Sequence, residues 1–116
     1  MDRIRFFQLV EEALTRLPRR FREELENLAI VVEDVPNKHT APRGAGLLLG
    51  LFRGVPKPQQ SSFWASGPSQ IILYQKNIES ICRTEEQVKK QIEITLKHEI
   101  GHYFGLSERD LRTKGY

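Results

Sequence analysis

Near the end of a 116-residue chain, His98-Glu99-Ile100-Gly101-His102 sets two histidines four residues apart with a carboxylate directly after the first. On a helix, side chains at i and i+4 lie on one face with Cβ atoms about 5–6 Å apart. His98 and His102 can therefore converge on one ion at the roughly 2.0–2.1 Å that zinc takes from an imidazole nitrogen. Glu99 points to the edge of the same face. Its natural role there is to take a proton from a metal-bound water and deliver it to a leaving amine. The chain has only three histidines. Two of them in this frame argue for a metal site over two surface imidazoles flanking a solvated glutamate.

Two histidines do not complete a catalytic zinc site, which usually takes three protein ligands. Metzincins extend the pattern to His-Glu-x-x-His-x-x-Gly-x-x-His, where the glycine turns the chain so that the residue three positions later reaches the metal. Here Gly105 stands at the glycine and Glu108 at the last ligand position. A carboxylate oxygen is an acceptable zinc ligand. Glu108 is the expected third ligand, with Asp110 the next candidate. A structural reading competes, in which Ser107 caps a terminal helix with Asp110 three residues on and Glu108 is a first-turn acid favoured by the helix dipole. The two roles are compatible.

These side chains need a helix to carry them. Thr84-Glu85-Glu86-Gln87 has capping-box spacing and predicts its start, and Gly105 predicts its end. At about 100° per residue, Leu96, Ile100, Tyr103 and Phe104 share one side and the histidines another. Gly101, without a side chain, is expected to let this helix approach a strand closely. Upstream, Phe6, Val10, Ala13, Leu14 and Leu17 recur at helical spacing up to Pro18. A second short helix is predicted through Phe21 and Leu25, ending near Asn27. Residues 28–32, 46–52 and 71–74 read as strands, the second weakened by its internal glycines. Residues 54–69, with three prolines, two glycines and four serines, read as a long mobile surface loop, and residues 77–83 as a turn.

The remaining composition sets bounds. The length fits a single domain over residues 1–116. Eighteen Lys and Arg against 15 Asp and Glu leave a net charge of +3. The two signs are interleaved, as at Arg16, Arg19, Arg20 and Arg22 with Glu23 and Glu24, so nucleic acid is not an expected partner. Cys82, the lone cysteine, excludes an internal disulfide and is expected to be a buried small hydrophobe. No apolar run reaches signal-peptide or membrane-spanning length. A cytoplasmic protein without membrane contact is the expectation. His39 reads as a solvated loop histidine, and Glu33 and Asp34 as turn residues. Phe63 and Trp64 could line a cleft or anchor the loop. Tyr74 and Tyr103 could stabilise an oxyanion or pack in the core with their hydroxyls at the surface.

The chain resembles the short bacterial zincin-like metallopeptidases. The likeness runs from VEEAL and LPRRF through VVEDVP, LLGLFRGVP, ILYQKNIE and CRTEEQV to HEIGHYFGLSE, and only the last block is chemically specific. The resemblance implies an α+β minimal zincin fold, with a three- to four-stranded sheet packed against N-terminal helices and a C-terminal active-site helix. It implies Zn2+ held by His98, His102 and Glu108, and hydrolysis of a peptide or protein substrate by a zinc-activated water with Glu99 as general base. The chain departs from metzincins in lacking the third histidine and a methionine turn, since Met1 is its only methionine. The alternative is a catalytically silent zincin-like module with a structural metal, binding peptides through residues 54–69.

Overall fold

The computed structural model describes residues 1–39, 46–59 and 69–116. Helix α1, Arg3–Thr15, starts on Asp2, whose carboxylate accepts from the Arg5 N–H at 2.8 Å. It buries Phe6, Val10 and Ala13 of the predicted stripe, together with Leu9, which the stripe did not include, while Leu14 is only half-buried and Leu17 is buried just beyond the helix end. Pro18 ends that run and opens α2, Arg19–Glu24, which tightens into a 3-10 turn at Leu25–Asn27. Strand β1 is Leu28–Glu33, β2 is Gly50–Arg53 and β3 is Ser69–Tyr74. Three helices follow: α3, Gln75–Ser80; α4, Glu85–Tyr103; and α5, Glu108–Lys114. The Thr84 hydroxyl accepts from the Gln87 N–H, as the capping pattern requires.

The strands form one mixed sheet in the order β1-β3-β2, with β1 parallel and β2 antiparallel to β3. The central strand has Ile71, Ile72, Leu73 and Tyr74 fully buried. Ile71 and Leu73 share the main core with Phe6 and Leu9 of α1 and with Ile92, Leu96 and Ile100 of α4. This is the expected α+β arrangement, with α4 lying between α1 and the β2 side of the sheet. None of the described helices is long and apolar enough to cross a membrane.

Four local expectations are corrected. The strand expected over 46–52 begins only at Gly50, and Gly46 takes a positive φ of 68° that leaves the extended region. The turn expected over 77–83 is largely α3, which buries Gln75 and Ile78. No side-chain cap marks its start, so the sequence carried no stop-and-start signal there. Tyr74 lies wholly inside the protein, its hydroxyl buried rather than at the surface and without a hydrogen-bond partner among the described residues. The close approach of helix and strand belongs to Gly50, not Gly101. A Cβ on Gly50 would stand 2.6 Å from Thr95 Cγ2 on α4 and 3.0 Å from the Ile72 carbonyl oxygen, whereas Gly101 faces Leu111 of α5.

Gly50→Ala should therefore force β2 away from α4. The loss of stability should be roughly 1–3 kcal/mol, the range for overpacking a close-packed interior. Urea unfolding of the two proteins checks this, and an unchanged midpoint would mean that Thr95 simply moves aside.

Candidate metal site

His98 and His102 lie on the rim of α4, while Leu96, Ile100 and Tyr103 take its core side. Their rings meet edge to face with centroids 5.0 Å apart. The helix then closes in a Schellman turn. Gly105 has φ 85°, its N–H bonds to the His102 carbonyl at 2.9 Å, and the Leu106 N–H bonds to the Gly101 carbonyl at 3.1 Å. This reversal starts α5 immediately.

Ser107 caps α5 reciprocally with Asp110. The Asp110 N–H donates to Ser107 Oγ at 3.1 Å, and the Ser107 N–H donates to Asp110 Oδ2 at 3.0 Å. The backbone bond from Ser107, then its hydroxyl, hold Asp110 below the usual carboxylate range. The carboxylate of the second candidate ligand is thus turned back on the cap. Glu108 goes the other way. Its Oε1 lies 3.1 Å from His98 Nε2 and 2.8 Å from His102 Nε2, and its Oε2 lies 3.0 Å from His98 Nε2. Burial raises its pKa, but the hydrogen bonds and charge of the two histidines outweigh this and leave it below the ordinary carboxylate value.

The protons decide what this cluster can bind. His102 Nδ1 sits 3.0 Å from the Leu106 carbonyl oxygen. A carbonyl only accepts, so the proton of neutral His102 belongs on Nδ1 and its Nε2 presents a lone pair. A carboxylate oxygen 2.8 Å from that lone pair needs a proton or a cation between them. The Glu108 oxygens stand 2.8 to 3.1 Å from the two Nε2 atoms, within reach of one small cation. Two imidazole nitrogens and a carboxylate also match zinc in donor type. The residues fit the ion.

Glu99 is placed differently. It is only 7% exposed, and its Oε1 accepts the Phe52 N–H of β2 at 2.9 Å. One ligand-capable atom each from His98, Glu99 and His102 lies within 4.8 Å of the others, so the carboxylate borders the histidine pair. Burial pushes its pKa up, while the two histidines and the Phe52 N–H act in the opposite direction without cancelling the rise. A cleft of about 610 Å³ opens beside it, lined by Leu48, Gly50, Phe52, Pro56, His102 and Leu106 among others.

The other candidate residues make different contacts. His39 is exposed, its N–H bonded to Asn37 Oδ1. Tyr103 is buried, with its ring 5.7 Å from that of Phe52. Glu33 lies within β1 rather than in a turn, and Asp34 pairs with Arg3. Cys82 is half-buried, short of the full burial expected. Phe63 and Trp64 fall outside the described residues, as does most of the loop expected over 54–69. The residues missed were Phe52, which acts through its backbone, and Leu106, which acts through its carbonyl. Neither type of contact has a side-chain signature.

A family described as zincin-like metallopeptidase matches residues 25–116. Among solved structures, a conserved hypothetical protein from T. thermophilus shares 22% identity over 90% of this chain and 94% of its own, with a TM-score of 0.58. That likeness is one of fold. No curated protein matches the chain.

Proposed function

Because the chain belongs to the zincin-like metallopeptidase family, we propose that it is a zinc-dependent peptidase that hydrolyses peptide bonds in a peptide or protein substrate. The observation that carries the reading is the convergence of Glu108 on both Nε2 atoms, with His102 Nδ1 committed to the Leu106 carbonyl. His98, His102 and Glu108 are the proposed ligands. Zinc held by them supplies a Lewis acid that polarises a carbonyl and acidifies water.

Glu99 is the general base, not a ligand. Its carboxylate is tied to the Phe52 N–H, which fixes it between α4 and β2 beside the cleft. Burial raises its affinity for a proton, the direction that suits a group accepting one from water and returning it to a leaving amine. The Leu106 carbonyl orients the His102 ring and strengthens its free nitrogen as a donor to metal.

The direct test is metal analysis of the purified protein with cleavage of a peptide library, before and after chelation. About one zinc per chain is expected, with cleavage that stops on chelation and returns with zinc. Full zinc occupancy without cleavage of any library member would instead favour a silent peptide-binding module.

The third ligand has its own test. Glu108→Ala should weaken zinc binding on the order of ten- to a hundredfold, whereas Asp110→Ala should leave affinity nearly unchanged because its carboxylate serves the cap. Glu108→His should retain binding by supplying an imidazole at the same position. An Asp110→Ala loss as large as that of Glu108→Ala would reverse the assignment.

A further inference from the structure

Glu108 is the first residue of a seven-residue helix, and its side chain is 62% exposed. The Schellman turn and the Ser107–Asp110 cap fix the local shape of the chain before it. They do not fix how α5 leans on α4. Among its residues only Leu111 is buried, and it is fully so. Leu111 follows Glu108 by three positions, so both side chains leave the same face of α5. That face is turned to α4.

Gly101, between the two histidines in the chain, receives Leu111. A Cβ on Gly101 would stand 2.2 Å from Leu111 Cδ2, 3.4 Å from Cγ and 3.6 Å from Cδ1. The whole branched end of the leucine therefore occupies space that any other residue type would fill. At the far end of the segment, the Tyr116 ring packs edge to face on Phe21 at 5.3 Å. Between that contact and the turn, Leu111 is the one residue of α5 that is buried.

We propose that Gly101 and Leu111 are positioning residues for the metal: the leucine seated in the notch left by the glycine holds Glu108 against His98 and His102. The inference rests on the reading of Glu108 as a ligand. Neither residue supplies a ligand atom, yet together they set the site's affinity. Leu111 acts by seating α5, and Gly101 by leaving it room. Alanine forms helix better than glycine, so Gly101→Ala should by itself strengthen α4. A loss of zinc affinity in that variant would run against the change in helix propensity and would report the displaced ligand.

The experiment compares Gly101→Ala, Leu111→Ala, the double variant and Glu108→Ala. Zinc affinity is measured by competition with a chromogenic chelator, and hydrogen exchange is measured on the chelator-treated proteins. Each single change in the notch should lower zinc affinity about tenfold, the scale seen when groups supporting metal ligands are lost. Exchange should quicken in α5 and stay unchanged in α4 around Ile92 and Leu96, which shows that the fold is retained. The double variant should bind no more weakly than Leu111→Ala, because the new methyl has nothing left to displace, and this non-additivity marks direct coupling. Affinity within twofold of the parent in both single variants, with Glu108→Ala clearly weakened, would overturn the notch and leave the ligand standing. An unchanged affinity in Glu108→Ala would overturn the ligand assignment, and the inference with it.

Discussion

Replacing His98 or His102 with alanine should abolish stoichiometric zinc binding. Each change leaves one imidazole and one carboxylate, short of the three protein ligands that a catalytic zinc site usually has. The loss should also exceed that of Glu108→Ala. Glu108 sits on an exposed side chain at the start of a short helix, whereas the histidines project from a 19-residue helix anchored in the core. Metal content after gel filtration is the readout, and full occupancy in the double histidine variant would place the metal elsewhere. The parent protein should lose zinc in acid, since imidazole must be neutral to ligate. Glu108 is held below the ordinary carboxylate range by the hydrogen bonds and charge of the two histidines. An affinity that stayed flat into strong acid would argue for other ligands.

What the sequence disclosed was what acts through neighbours in the chain. Thr84 announces α4, Pro18 separates α1 from α2, and Gly105 and Ser107 mark the end of one helix and the start of the next. Because a helix has a fixed pitch, the spacing of His98, Glu99 and His102 carried real geometric content, whereas Glu108 depended on the turn at Gly105. Contacts between distant segments were not legible. Gly101 and Gly50 look alike in a sequence, yet one faces a helix and the other packs a strand on α4. Nothing local says which partner a bare Cα will meet. Helix α3 was missed because Tyr74 leads into it without a side-chain cap, and β3 was expected two residues too late because Ser69 and Gln70 are polar residues that continue the ladder to Leu28 and Ala29. The Phe52 amide was invisible for a deeper reason, since any residue type but proline supplies the same N–H.

That amide makes Glu99→Gln the most informative substitution for chemistry. Glutamine keeps the length of the side chain, and its carbonyl oxygen can still accept the Phe52 N–H that Glu99 Oε1 takes at 2.9 Å. The contact between α4 and β2 should survive, and with it the fold. Zinc should remain at the parent level, because the proposed ligands are His98, His102 and Glu108. The amide oxygen cannot serve as a base at neutral pH, so hydrolysis should fall by at least about a hundredfold, the lower part of the range for general acid–base catalysis. The loss should appear in kcat and kcat/KM alike, since the proton is transferred only in the transition state. Glu99→Ala is the control that separates catalysis from support. It removes the base and also leaves the Phe52 N–H without its partner, so it should lose stability that Glu99→Gln keeps. Equal stability in the two variants would mean that the Phe52 contact contributes little. Parent-level hydrolysis in Glu99→Gln would assign the base to another group.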